Sequence, residues 1–94
     1  METKDILLIF NSCNSLKYWL HYVLSYLKEN DIIFNCTYYS NQIIVKNRII
    51  KFMIYDKDRI ELYKKGRRNI LEYHDVEYLF EKRFDDMMKE ILNG

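Results

Sequence analysis

The chain has 94 residues, of which 15 are basic and 14 acidic, and its formal net charge at neutral pH is +1. This length fits one domain, and a charge so close to zero excludes a strong overall attraction to nucleic acid or to anionic membranes. Hydrophobic residues make up 49% of the chain and include nine tyrosines, which is typical of a globular domain and excludes a disordered one.

The first part of the chain predicts a buried strand followed by a helix. Ile6–Phe10 is an unbroken apolar run, which is typical of a strand that lies in the interior of a sheet. The polar turn that follows ends at Asn14 or Ser15, and either residue can cap a helix. That helix is predicted over about Leu16–Glu29, where leucine and valine recur on one face at helical spacing.

The rest of the chain predicts a hairpin, two further strands and two further helices. In chain order the patterns predict strands over Ile32–Tyr39, Gln42–Lys46 and Ile49–Tyr55, a short helix over Arg59–Lys65, a strand over Asn69–Tyr73 and a helix over Val76–Leu92. Gly66 is expected to end the short helix. The order is therefore β-α-β-β-β-(α)-β-α. It predicts the α/β class, with α+β as the alternative: one domain over residues 1–94, with a small mixed sheet and two main helices packed on it.

The turn after the first strand lies where P-loop proteins bind phosphate. The aligned stretch keeps the lysine of that motif as Lys17, but Asn11 and Leu16 occupy the two glycine positions, and Tyr18 replaces the hydroxyl residue that binds Mg²⁺. A backbone without glycine does not easily wrap around a phosphate. We therefore expect a plain strand-to-helix turn and no ATP hydrolysis.

Together with the segments that follow, the chain resembles a degenerate P-loop domain of the kind found in small phage ATPases of the terminase and helicase type. The resemblance rests on Gln42–Val45, Ile49–Ile54, Asp58–Ile60 and Gly66–Arg68. Ile70–Glu77 stands where those enzymes carry an apolar strand that ends in Asp-Glu. Because each catalytic element is missing or altered, the resemblance implies shared ancestry and a protein that is not an enzyme.

Charge is divided between two segments of the chain. Lys46–Arg68 holds nine basic and three acidic residues, whereas the chain from Leu71 onward holds seven acidic and three basic residues. The basic segment supplies the candidates for binding a partner or a phosphate, namely Arg59, Lys64, Lys65, Arg67 and Arg68. Tyr55 and Tyr63 lie beside them and are able to stack on bases. The alternative is a solvated loop that is neutralised by the acidic last helix, whose acidic face is marked by Glu81 and Asp85.

Three aromatic residues of the first helix allow two interpretations. Trp19, Tyr22 and Tyr26 form a stripe that either packs over the sheet edge or the last helix, or stays partly exposed as an interface anchor. The two histidines, His21 and His74, have no cysteine at metal-ligand spacing, so no metal site and no cofactor are predicted.

Composition also bears on location and source. The two cysteines are expected to be free thiols in a reducing compartment. No apolar stretch approaches the roughly 20 residues needed to cross a bilayer, and the polar start of the chain is unlike a signal peptide. These observations predict a cytoplasmic protein without membrane contact. The chain lacks alanine and proline, and Ile, Lys, Asn and Tyr exceed a third of it, which indicates an AT-rich genome such as that of a phage of a low-GC bacterium.

Three functions remain in competition at this point. The first is a small non-enzymatic inhibitor, similar in type to anti-CRISPR proteins, which binds a host defence protein or nucleoprotein complex. It would act in the host cytoplasm as a monomer or homodimer. The second is an accessory protein that binds nucleic acid or a nucleotide through the basic loop, residues Arg59–Arg68. The third, an enzyme with a degenerate nucleotide site, is disfavoured because the phosphate-cradling glycines are absent.

Overall fold

The computed structural model describes residues 4–37, 41–74 and 81–93, without the side chains of residues 4, 81 and 82. Its elements, in chain order, are β1 (Lys4–Phe10), α1 (Cys13–Glu29), β2 (Phe34–Thr37), β3 (Gln42–Val45), β4 (Arg48–Ile54), α2 (Lys57–Lys64), β5 (Ile70–Tyr73) and α3 (Glu81–Asn93). The predicted α/β class and the predicted order of elements are confirmed.

The five described strands form one mixed sheet in the order β2-β3-β4-β1-β5. Strand β1 pairs in parallel with β4 on one side and with β5 on the other, whereas β2, β3 and β4 form an antiparallel meander. The prediction that Ile6–Phe10 is an interior strand is confirmed, and each of these side chains is at most 2% exposed. The unbroken apolar run is required because helices cover both faces of this part of the sheet.

Alternate side chains of β1 enter two separate cores. Ile6, Leu8 and Phe10 belong to the larger core, which also contains the apolar faces of α1 and α3. Leu7 and Ile9 point to the opposite face, where Ile60 of α2 covers them. The helix that follows β1 and the helix that follows β4 therefore lie on opposite faces of the sheet.

Several predicted boundaries change by a few residues. Helix α1 begins at Cys13, three residues before the predicted start, and its cap is Ser12 in place of Asn14 or Ser15. The Ser12 hydroxyl accepts a hydrogen bond from the Ser15 N–H at 3.2 Å. The exposed polar side chains of the first turn carry no apolar periodicity, which explains the difference.

The short helix and the last helix also differ slightly from the prediction. Helix α2 begins two residues early, and Gly66 follows its capping residue Lys65 with φ of +79°, a conformation that favours glycine as expected. The first five residues of the helix predicted over Val76–Leu92 lie outside the described residues, and α3 continues to Asn93.

A buried arginine ties the sheet to the end of α3. Arg48, at the start of β4, is 8% exposed and donates a hydrogen bond from its guanidinium to the carbonyl oxygen of Ile91 in the last turn of α3. The carbonyl groups of a last helical turn have no partner within the helix and carry the negative end of the helix dipole, so a cation is favourable there. The contact fixes α3 over the larger core.

The structure also describes the two cysteines and the apolar character of the helices. Cys13 and Cys36 are free thiols, as predicted. Within the described residues, no helix combines the length and the apolar character that a membrane span requires.

Candidate binding cleft at the carboxyl edge of the sheet

The three parallel strands β1, β4 and β5 all end at one edge of the sheet, which we call the carboxyl edge. Neighbouring strands β1 and β4 send their chains to opposite faces at this edge, because α1 packs on one face and α2 on the other. Such a point leaves a crevice between the two connections, and in open α/β sheets ligands bind there.

A cleft of about 420 Å³ lies at this point and is called the edge cleft below. Its wall is formed by the end of β4 and the start of α2, including Ile54, Tyr55 and Arg59, and by Leu16 at the start of α1. Ile54 is 43% exposed and Tyr55 is 57% exposed. The Tyr55 N–H donates to the Phe10 carbonyl oxygen at 2.7 Å, which joins the ends of β4 and β1 and holds this wall in place.

The charges of the edge cleft come mainly from basic side chains. Lys51 and Arg59 both line it, and Arg67 lies near enough to Lys51 to influence it. Burial, and then the positive charge of Arg67, lower the pKa of Lys51 below its usual value of 10.5. Asp56 is the acidic member, but its Oδ1 accepts the backbone N–H groups of Asp58 and Arg59 at 3.1 and 3.2 Å as the cap of α2.

The turn between β1 and α1 does not form a phosphate loop. Only Asn11 and Ser12 separate the two elements, whereas a phosphate-binding loop needs a longer run of backbone N–H groups around the anion. Leu16, at the second glycine position, is 4% exposed and belongs to the core. Lys17 is exposed on the first turns of α1.

We therefore predict that the purified protein releases phosphate from ATP and Mg²⁺ at the background rate, and that Lys17→Ala leaves this rate unchanged. The reason is the two-residue turn, which cannot surround a triphosphate. A colorimetric phosphate assay makes the measurement. Release above background that disappears in Lys17→Ala would prove the prediction wrong.

The structure does not bring the five predicted basic residues together. Arg59 lies at the carboxyl edge, whereas Lys64 is the last residue of α2 at its opposite end, and Lys65, Arg67 and Arg68 follow it. There, Arg67 Nε lies 2.8 Å from Asp5 Oδ2, its guanidinium stacks 4.0 Å from the centre of the Tyr63 ring, and Lys64 pairs with Glu72. Two members of the basic loop thus stabilise the fold. Lys65 and Arg68 are exposed.

The stabilisation of the fold by Glu72, which pairs with Lys64, depends on pH. Hydrogen bonds from Lys64 and then from His74 hold the pKa of Glu72 below its usual value of 4.5. A carboxyl group whose pKa is depressed by folding stabilises the folded state fully above that usual value, and the contribution is lost as the pH falls through the folded pKa.

When the pH falls from neutral to about 3, the free energy of unfolding is therefore expected to decrease less in the Glu72→Gln variant than in the wild type. Urea midpoints at the two pH values measure this. Glu61→Gln, which changes an exposed glutamate of α2, should keep the wild-type pH dependence. Equal acid losses in the wild type and Glu72→Gln would contradict the assignment.

The predicted aromatic stripe of α1 packs against the last helix. Trp19 is 6% exposed and stacks on Phe84 of α3 with ring centres 5.2 Å apart, and Tyr22 and Tyr26 contact the same ring edge-on. The structure thus favours packing against the last helix over an exposed anchor. Tyr18, which the sequence did not single out as an anchor, is 60% exposed.

The acidic face of the last helix is only partly described. Asp85 is half-buried in a groove between α1 and α3 that also contains Lys89. The side chain of Glu81 lies outside the described residues. Basic residues alternate with acidic ones along α3, so this surface is mixed in charge.

Comparison of the chain with protein-family models, with curated proteins and with solved structures found no match. Among the residues that the structure describes, no three His, Cys, Asp or Glu side chains form a group that could hold a metal ion. Sequence reasoning named Tyr55 and Arg59 of the edge cleft, but it missed Ile54 and Lys51. No local signal marks either residue, because each is one apolar or basic position among several in β4.

Proposed function

We propose that this protein is a small, non-enzymatic inhibitor that binds a host defence protein or nucleoprotein complex, and that it contacts its partner through the edge cleft. The altered P-loop positions support a role without catalysis. The partner class rests on the size and the AT-rich coding of the chain, which are similar in type to those of anti-CRISPR proteins.

The observation that carries the proposal is the exposure of an isoleucine, a tyrosine and an arginine around one cleft. Tyrosine and arginine are among the residues most enriched at the energetic centres of protein interfaces. Ile54 and Tyr55 are 43% and 57% exposed, and the Arg59 side chain is 80% exposed. The hydrogen bond from the Tyr55 N–H to the Phe10 carbonyl oxygen of β1 and the Asp56 cap of α2 hold the backbone of this surface, which lowers the entropic cost of binding.

The experiment is affinity capture with immobilised protein from the lysate of a low-GC bacterium that carries defence systems, followed by mass spectrometry. We expect the wild type to enrich a defence protein and Tyr55→Ser to lose it, because truncation of a central aromatic contact costs about 2 kcal/mol or more. The matched control is Leu62→Ser, which removes an apolar side chain that is 71% exposed on α2 and outside the edge cleft.

Two results would contradict this proposal. One is capture of the same defence protein by Tyr55→Ser at the wild-type level. The other is equal loss of capture by Tyr55→Ser and Leu62→Ser, which would indicate non-specific apolar adsorption. Circular dichroism and thermal unfolding of both variants establish that each keeps the fold.

A second candidate function, a nucleic-acid-binding accessory protein, is supported by the opposite edge of the sheet. Lys65 and Arg68 are exposed there, and the turn between β3 and β4 places Lys46 at the same edge. Binding through these cations would weaken steeply with salt, with a slope that reflects roughly three phosphate contacts. A single-stranded oligonucleotide whose binding is lost in the double variant Lys65→Glu/Arg68→Glu would favour this function.

A further inference from the structure

The edge cleft extends as a groove between α2 and the neighbouring part of the sheet face on which α2 packs. Lys51 and Met53 point from β4 into this face, and Asn41, just before β3, borders it. Helix α2 has only eight residues and covers β1 through Ile60, so the described helices leave the part of this face towards β3 open. The groove is therefore a concave site with one helical wall and a floor of strands.

The size of this site suits a small-molecule ligand. Its volume of about 420 Å³ lies within the range of roughly 300–1,000 Å³ that small-molecule sites occupy. The position at the carboxyl edge, where connections leave for opposite faces, is where α/β sheets hold nucleotides.

Basic groups line both walls of the site. Lys51 stands on the sheet side and Arg59 on the helix side, so an anion between them would meet both. Arg59 lies 3.9 Å from Asp56 Oδ2, a long contact, and Asp56 already caps α2 through its other oxygen. Charge-assisted hydrogen bonds from lysine and arginine side chains to phosphate are among the stronger polar interactions in proteins.

An aromatic ring is placed at the mouth of the same site. Tyr55 lines the edge cleft, and 57% of its surface is exposed. A tyrosine ring stacks on any base, because every base has an aromatic face. A ring at the mouth and cations on both walls together match the two ends of a nucleotide.

We propose that this groove binds a nucleoside phosphate, with Lys51 and Arg59 contacting the phosphate groups and Tyr55 stacking on the base. The inference goes beyond the proposed function and does not rest on it, because the ligand would bind the isolated protein. The cations of this site lie on β4 and α2, and not on the turn before α1 where the resemblance to P-loop proteins would place phosphate.

The test is titration of the isotope-labelled protein with ADP and, separately, with adenosine, followed by amide chemical shifts. We expect ADP to shift the amides of Lys51, Tyr55 and Arg59 and leave those of Ser12 and Ser15 in place. Adenosine should bind about a hundred-fold more weakly, because it lacks both charge-assisted contacts. Lys51→Met and Arg59→Gln, which each remove one of them, should each weaken ADP binding about ten-fold.

Arg68→Gln is the matched control, since it removes an exposed arginine at the opposite edge, and it should bind ADP like the wild type. Unchanged spectra at millimolar ADP would overturn the inference. Shifts confined to Asn11–Asn14 would also overturn it, as would equal binding of adenosine and ADP or an equal loss in Arg68→Gln. None of these results bears on partner capture, so the two proposals fail separately.

Discussion

Replacing Phe84 with alanine is expected to lower the free energy of unfolding by about 3–5 kcal/mol. Phe84 is fully buried, and its ring stacks on Trp19 and meets Tyr22 and Tyr26 edge-on, with centres 4.5 to 5.9 Å away. The variant would leave a cavity at the contact between α1 and α3. Since a domain is stable by roughly 5–15 kcal/mol, this single change could remove most of the margin.

Urea unfolding followed by tryptophan fluorescence measures this loss, because Trp19 itself borders the cavity. Leu20→Ala, which truncates another core side chain of α1, should cost about 2–5 kcal/mol. Leu62→Ala is the control and should stay within about 0.5 kcal/mol of wild type, because this side chain is 71% exposed. Wild-type midpoints for both core variants would show that α3 does not pack on α1 as described.

The second large effect is expected at Arg48. Arg48→Ala should lower the free energy of unfolding by about 1–3 kcal/mol, because it removes the donor to the Ile91 carbonyl and the packing of the arginine stem. Because α3 loses its tie to the sheet, hydrogen exchange in the last turn of α3 should become faster.

Two variants make the Arg48 measurement specific. Arg48→Met keeps much of the stem without the buried charge, so it should be less destabilising than alanine. Arg68→Ala removes an exposed arginine and should stay within about 0.5 kcal/mol of wild type. Unchanged exchange at Ile91 and Leu92 in Arg48→Ala would contradict the proposed tie.

The parts of the fold that could be predicted are those with a strong local pattern. The unbroken run Ile6–Phe10 predicts an interior strand, and the apolar stripe of α1 predicts its packing on the sheet. Gly66 predicts the end of α2 because few other residues adopt its positive φ. Each of these signals acts within a few residues of the chain.

The candidate site depends on contacts between distant segments, which have no local signal. Arg67 and Asp5 are 62 positions apart in the sequence, yet parallel pairing of β5 with β1 brings their side chains to 2.8 Å. The basic run reads as one surface in the sequence, but this pairing and the length of α2 divide it between two edges. The same topology places Lys51 and Arg59 on one cleft, which sequence spacing alone could not indicate.

The most direct test of the edge cleft as the working surface is a comparison of association rates with the captured partner at low salt. Three double variants cover the edge cleft, the opposite edge of the sheet and the acidic face of α3: Tyr55→Ser/Arg59→Gln, Lys65→Glu/Arg68→Glu, and Asp86→Lys/Glu90→Lys. Asp86 and Glu90 are exposed acidic residues of α3 near the half-buried Asp85. We predict that only the first loses binding, because the other two change exposed charges away from the contact. Wild-type binding by the first, with slowed association in either of the others, would contradict the proposed surface.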